Sequence, residues 1–314
     1  MTLKIGIVMD AIQSINIKKD TGFAMLMTAQ QRGYTPYYME MKDLYVHNSI
    51  AYGTMKSLVV QEDQNHYFEF KSEEDKPLSD LDVILMRKDP PFDMEYIYAT
   101  YILELAERSG TLVVNKPQSL RDANEKFFTT FFPDYVPPTL ITRQAAKIRA
   151  FHQQHGDIIL KPLNGMGGSS IFRLGANNHN ISVIIETLTQ HQSRYIMAQT
   201  YLPEITQGDK RIHIVNGECM PYCLARIPAE GETRGNIAAG GRGVAMPVSD
   251  DEKRVAQAVA PELKKRGLLF AGLDMIGDKI TEINVTSPTC VKEIEAVYPI
   301  DIIGKLFDAI EQLL

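Results

Sequence analysis

The first chemical signal in this chain is a ten-residue run, Lys161-Pro162-Leu163-Asn164-Gly165-Met166-Gly167-Gly168-Ser169-Ser170. A lysine closes the apolar run Ile158–Leu163, which reads as a buried strand, and Gly165, Gly167 and Gly168 follow at once. Glycines let backbone N–H groups converge on a ligand with no Cβ in the way, and such a nest of donors suits phosphate oxygens. The order is neither that of a P-loop, which ends Gly-Lys-Ser/Thr, nor Gly-x-Gly-x-x-Gly. A plain turn between strands reads the same way, and the segment alone leaves both readings open.

A second signal lies near the C-terminus, where Asp274 precedes Glu282-Ile283-Asn284. Leu268–Ile276 and Ile280–Val285 read as a hairpin, with Gly277–Lys279 as its three-residue turn. That register sets Asp274 opposite Glu282, with Cβ atoms about 5 Å apart, and Asn284 on the face of Glu282. Facing carboxylates repel unless a cation sits between them, and two carboxylates with an amide oxygen suit Mg2+. The other reading is a solvated face of an exposed hairpin. On the metal reading, Asp274→Asn or Glu282→Gln should cut turnover strongly while leaving stability within about 1 kcal/mol, as surface changes do.

Cations form the third signal. Asp209, Lys210 and Arg211 open a strand that Asn216-Gly217 turns into a partner strand ending at Arg226. The loop 227–243 then carries Arg234, Asn236, Arg242 and several glycines, among them Gly240 and Gly241. A long aperiodic loop in a compact domain is functional or floppy. Hinge glycines with arginines suit a lid over anionic oxygens. A fourth segment, Met86–Asp93, puts Arg87 and Lys88 just past an apolar strand, where open α/β sheets bind ligands. A salt-bridged turn explains that segment equally well.

These groups need a frame. Ile5–Met9, Leu81–Met86 and Thr111–Val114 read as buried strands, and Phe23–Gln31 and Met94–Arg108 as helices. The β-α-β rhythm predicts an α/β fold with an open parallel sheet in the first part, while hairpins make the second part antiparallel. Asp43–Lys76 is polar and aperiodic and reads as a peripheral hairpin or excursion. Leu120–Phe132 reads as one helix stopped by Pro133. The domain boundary is set at 122/123, giving domains 1–122 and 123–314.

Composition removes several classes. The net charge of −6 over 314 residues is not the footprint of a nucleic-acid-coating protein. Three cysteines, with Cys219 and Cys223 spaced C-x3-C, make neither a disulfide framework nor a four-ligand zinc site. The N-terminus lacks a signal-peptide pattern and no apolar run reaches about 18 residues, so a cytoplasmic protein with no membrane partner is expected.

Together the motifs resemble the ATP-grasp superfamily of carboxylate–amine ligases, and within it the prokaryotic glutathione synthetase family. The resemblance rests on Met86–Asp93, Val114–Asp122, Asn124-Glu125-Lys126, Ile159–Gly168, Tyr222–Ile227, Gly231–Asn236, Ala238–Gly243 and Glu282–Cys290. It implies an N-terminal pre-ATP-grasp domain, an ATP-grasp domain, and ATP-driven joining of γ-glutamylcysteine to glycine through an acyl phosphate. It also implies two Mg2+ ions, with Mn2+ as a substitute, on Asp274, Glu282 and Asn284. ATP would be held by Lys126, Lys161, Gly165, Gly167, Gly168, Ser169, Gln199, Tyr201, Leu202 and Asp209. Arg211 and Arg226 would be catalytic. Arg234, Asn236, Gly240 and Gly241 would belong to the lid, with Asp10, Asn16, Arg87, Lys88, Ser287, Pro288 and Thr289 toward the peptide and glycine. The resemblance further implies a homotetramer. Two rivals remain at this stage. One is a related ligase that adds glutamate to a peptide or protein; the other is a nucleotide-binding module without amine-dependent ADP production.

Overall fold

The structure, a computed structural model, describes residues 2–176, 178–229, 235 and 240–314. The chain opens with β1 (Lys4–Val8), α1 (Thr21–Gln31), β2 (Thr35–Met39), β3 (Leu44–His47), β4 (Ile50–Val60), β5 (Phe68–Pro77), β6 (Val83–Met86), α2 (Met94–Arg108), β7 (Leu112–Val114) and α3 (Pro117–Asp122). Strands β2, β1, β6 and β7 run parallel, as the β-α-β rhythm predicts. Asp20 and Asp93 start α1 and α2 by accepting the N–H groups of Phe23 and Tyr96.

Of the two readings of the polar stretch 43–76, the hairpin is the one the structure shows, and the excursion is not. The stretch forms β3, β4 and β5, and β4 pairs antiparallel with β2, so it widens the main sheet. Ala51 and Met55 are buried on the odd positions, then Leu58 and Val60 on the even ones. At the register slip against β5 between Ser57 and Leu58 the two-residue phase shifts, which hides the alternation from a periodicity reading.

The helix expected over Leu120–Phe132 is also corrected. α3 stops at Asp122 and a separate 3-10 turn occupies Phe127–Phe131. The Asn124 side-chain oxygen Oδ1 accepts the Phe127 N–H at 2.9 Å and so starts a new turn. The Glu125 carbonyl accepts the Ile283 N–H at 2.9 Å, which pulls residues 123–126 out of helix and onto the C-terminal sheet.

The middle of the chain builds a four-stranded antiparallel sheet from β8 (Thr139–Thr142), β9 (Ile158–Pro162), β10 (Phe172–Leu174) and β11 (Ile196–Thr200), in the order β10-β9-β11-β8. Helices α4 (Ala145–His155) and α5 (Ile181–Thr189) contribute Ile148, Ile185 and Leu188 to its separate core with Ile158, Leu160 and Ile196. The last part gives β12 (Asp209–Val215), β13 (Glu218–Ile227), β14 (Arg242–Pro247), α6 (Asp250–Lys265), β15 (Phe270–Ile276), β16 (Lys279–Asn284), α7 (Val291–Glu295) and α8 (Ile302–Glu311). Its five strands are antiparallel in the order β14-β13-β12-β15-β16. This sheet shares its apolar core with the N-terminal one: Met86, Tyr96 and Leu103 pack in one cluster with Leu273, Ile283 and Val259.

Candidate active site

The β15–β16 hairpin turns on two residues, Gly277-Asp278, because Ile276 pairs with Lys279. Asp274 nevertheless faces Glu282, as the sequence predicts. The missing residue reappears as a bulge at Thr281, between the Met275–Ile280 and Asp274–Glu282 pairs. The bulge has a use: the Thr281 carbonyl accepts from the Lys161 ammonium at 3.0 Å, tying the end of β9 to this hairpin. The two antiparallel sheets thus meet over a cavity of about 430 Å3.

Two lysines enter that cavity. Lys126 donates to Glu282 Oε1 at 2.8 Å and to the Gly165 carbonyl at 2.7 Å. Burial disfavours its charge, but Glu282 outweighs that and raises its pKa. Lys161 has no carboxylate partner among the described residues, and burial brings its ammonium down to about 8. Gly167 and Gly168 follow in the left-handed region, with φ of 63° and 78°, and the Ser169 N–H closes a turn on the Met166 carbonyl. Gly165, Gly167, Gly168 and Ser169 all line the cavity, as do Gln199 on β11 and Tyr201 and Leu202 just after it.

Below them runs an alternating chain of buried charges, Asp209–Arg226–Asp274–Arg211. Arg226 Nη2 lies 2.6 Å from Asp209 Oδ2 and 2.8 Å from Asp274 Oδ2, and Arg211 Nη2 is 3.0 Å from Asp274 Oδ2. The arginines are 5% exposed and Asp274 is 3% exposed. Burial alone would raise the Asp274 pKa, but the two guanidiniums override it and hold the carboxyl well below the usual range. Asp209 goes the other way: burial raises its pKa more than Arg226 lowers it, and its Oδ1 has no partner among the described residues. Asp274 is therefore not a solvated surface residue. The expectation that Asp274→Asn would be mild is overturned, because the change strands buried arginines.

The other expected positions divide. Asn16, Ser287 and Thr289 line the cavity; Asp10, Arg87, Lys88, Pro288, Gly240 and Gly241 are not among its lining residues. Asp10 instead takes Lys88 at 2.8 Å and the Asp89 N–H at 3.0 Å, fixing the loop after β6. Arg87 is buried behind the wall and donates to the Pro288 carbonyl at 2.8 Å. Arg234 and Asn236 lie outside the described residues. Between them Gly235 lines the cavity, and a Cβ there would fall 2.4 Å from the Arg226 carbonyl.

Sequence reasoning missed several lining residues. Glu125 is one: its Oε1 accepts the N–H groups of Val285 and Thr286 and the Thr286 hydroxyl, at 2.8–3.0 Å. Its place beside Lys126 was the available signal. Lys19, Asp20, Asp89 and Glu293 also line the cavity, and no spacing in the sequence marks them.

Asp274, Glu282 and Asn284, the residues expected to hold a divalent cation, all line one cavity from adjacent strands. The Asn284 amide N donates to the Gly272 carbonyl at 3.3 Å, leaving its oxygen as the hard donor. Two carboxylates and an amide supply hard oxygen donors, although the Asp274 oxygens here also accept from Arg211 and Arg226. Mg2+ fits that set.

Solved structures share this architecture. The ATP-grasp ligase PsnB complexed with minimal precursor superposes with a TM-score of 0.64 at 19% identity, covering 99% of each chain. The D-cycloserine synthetase DcsG gives 0.68 at 14% identity, covering 99% of this chain and 100% of that one. The fold is thus that of the ATP-grasp ligases. Residues 3–121 match the family described as prokaryotic glutathione synthetase, N-terminal domain, and residues 125–299 match its ATP-grasp domain. Proteins named glutathione synthetase from Shewanella oneidensis and Vibrio cholerae are each 64% identical to this chain, covering 98–99% of it and 98% of their own length. The chain belongs to the prokaryotic glutathione synthetase family.

Proposed function

We infer that this protein joins γ-glutamylcysteine to glycine, converting ATP to ADP and phosphate. A carboxylate is a poor electrophile, so the cysteinyl carboxylate first attacks the γ-phosphorus of ATP and ADP leaves. The glycine amine then adds to the acyl phosphate carbon, and the tetrahedral species expels phosphate as the amine loses its proton. Both steps concentrate negative charge on oxygens, and fixed cations in a low-dielectric cavity offset it. The carrying observation is convergence: Lys126, Lys161, Arg211 and Arg226 line one cavity with Asp274, Glu282 and Asn284.

In this reading Lys126 and Lys161 hold the triphosphate, with Gly165–Ser169 closing over it. Gln199, Tyr201 and Leu202 border the adenine, and Asp209 lies toward the ribose. Asp274, Glu282 and Asn284 would hold two Mg2+ ions, with Mn2+ as a substitute, whose charge neutralises the phosphoryl oxygens. Arg211 and Arg226 stabilise the acyl phosphate and the oxyanion. The loop 227–243, with Arg234, Asn236, Gly240 and Gly241, serves as a lid that keeps water from the acyl phosphate. Asn16, Ser287 and Thr289 face the peptide, while Asp10, Arg87, Lys88 and Pro288 support that wall from outside the cavity.

The assembly proposed is a cytoplasmic homotetramer; no helix among the described residues is long and apolar enough to cross a membrane. Light scattering of the purified chain tests the stoichiometry. For the reaction, phosphate release is measured with γ-glutamylcysteine and glycine against other acid–amine pairs. Preference for this pair supports the reading. Preference for glutamate with a peptide acceptor, or ATP binding without amine-dependent ADP, refutes it.

A further inference from the structure

The four-stranded sheet turns one face toward the cavity, and that face carries two charged side chains with no part in the reading above. Ile159 on β9 pairs with Arg173 on β10 and with Gln199 on β11, so these three stand in one row across the sheet. Residues two apart on a strand share a face, which adds Lys161 and, at the strand ends, Asp157 and Tyr201. Ile159, Lys161, Gln199 and Tyr201 all line the cavity, whereas Arg173 and Asp157 are not among its lining residues. The row therefore continues past the wall, with Tyr201 as its last member inside.

Asp157 grips Tyr201 twice. Its carbonyl accepts the Tyr201 N–H at 3.0 Å. Its carboxylate takes the Arg173 guanidinium on both oxygens, Nε donating at 3.1 and 3.2 Å and Nη2 at 2.6 Å. The guanidinium carbon in turn lies 3.6 Å from the centre of the Tyr201 ring. One face of the ring is thus covered by a cation outside the cavity, and the ring stands between that cation and the cavity. An exposed ion pair alone contributes little to stability, and the Arg173 and Asp157 side chains are 38% and 36% exposed. Fixing a long side chain by its planar fork and laying it on an aromatic face costs rotamer freedom, and what that cost secures is the position of the ring. β10 also begins at Phe172, two residues beyond Ser170 at the end of the glycine turn, so the same contact sets the spacing between the phosphate-facing loop and Tyr201.

We propose that Arg173, held by Asp157, is a positioning residue for the nucleotide: it fixes the Tyr201 ring as the wall against which the base packs. The assignment rests on the reading above that Tyr201 borders the adenine, and it adds the two residues that hold that wall in place. Arg173 meets neither the reacting atoms nor the triphosphate. Its effect passes through Tyr201 to the base alone, so a ligand with the phosphates but no base is blind to it.

The test compares ATP with inorganic tripolyphosphate as ligands of the full chain, by calorimetric titration in excess Mg2+ and without peptide or glycine. In Arg173→Met the Kd for ATP is expected to rise about fivefold, the scale of one partly exposed cation–π contact, while that for tripolyphosphate stays within about 1.5-fold. Asp157→Asn, which leaves Arg173 present but loosens its fork, should weaken ATP by about threefold with the same selectivity and serves if Arg173→Met fails to fold. In a Tyr201→Leu background Arg173→Met should have no further effect on ATP, and Tyr201→Phe, which keeps the ring, should retain the full effect. An equal loss of ATP and tripolyphosphate overturns the proposal, by marking simple attraction of anions or a structural role. ATP affinity unchanged in both Arg173→Met and Asp157→Asn also overturns it, as does an Arg173→Met effect that persists without the Tyr201 ring. All three outcomes leave the ligase reading intact, because they concern nucleotide binding alone. Failure of the wild type to bind ATP would overturn the ligase reading along with the proposal.

Discussion

Asp274→Asn separates the clamp seen here from a surface metal ligand. Asp209, Arg226, Asp274 and Arg211 form a buried chain of two negative and two positive charges. Neutralising Asp274 leaves two guanidiniums sharing Asp209 alone. Breaking a buried pair costs about 3–5 kcal/mol, and because these groups line a cavity that admits water the lower end, about 3, applies. For a chain of this size that is about 5 °C in Tm, measured by calorimetry or circular dichroism without nucleotide. Glu282→Gln is the internal control. The Glu282 side chain is 22% exposed, and its partner Lys126 keeps the Gly165 carbonyl, so its loss costs less, about 2 kcal/mol. Both variants are expected to lose at least about 100-fold in turnover, because both remove a cation-directed carboxylate. The sign of the pH dependence follows from the depressed Asp274 pKa. The stability it contributes is present above the usual carboxyl pKa and is lost as pH falls through its lower folded value. The Tm gap between wild type and Asp274→Asn should thus be steady from pH 6 to 8 and narrow only below about pH 4. Equal melting temperatures for Asp274→Asn and wild type at pH 7 would refute the clamp, and normal Mg2+-dependent turnover in both variants would refute the metal role.

Other expectations follow from the same geometry. Lys161 titrates at about 8, so KM for ATP should rise between pH 7 and 9 as its ammonium is lost, and Lys161→Arg should flatten that rise; a KM unchanged across this range would count against its phosphate contact. Glu125→Ala removes the acceptor for two buried backbone N–H groups of residues 285 and 286, costing about 2–4 kcal/mol, readable as a shift in urea midpoint at unchanged slope. Gly235→Ala places a Cβ against the Arg226 carbonyl. It should raise ATP hydrolysis relative to peptide synthesis, and an unchanged coupling ratio would argue against a lid role for this loop.

Local patterns were legible because they depend on neighbours in sequence. Asn216-Gly217 forms its hairpin with both residues at positive φ, 48° and 80°. Met94–Arg108 is helical over the span its apolar spacing marks. Where a single residue broke the period, the reading failed. A register slip between β4 and β5, with Lys71 the extra residue on β5, hid that the expected hairpin joins the main sheet, and the Asn124 side chain's bond to the Phe127 N–H split an expected helix. The bulge at Thr281 had the opposite effect, restoring the Asp274–Glu282 pairing that a longer turn had been invoked to explain.

The sequence by itself determined the chemical inventory: a lysine ahead of a glycine turn, two carboxylates and an amide in one hairpin, and arginines at the ends of paired strands. It could do so because strand period and turn chemistry act over a few residues. Only the tertiary structure decided which of these charges neutralise one another, and that Arg87 is buried behind the wall. It alone brought Asp20 and Glu293 to the wall of one cavity across more than 270 positions. Sheet order and burial control those pairings, and both are set by packing among distant segments rather than by spacing along the chain.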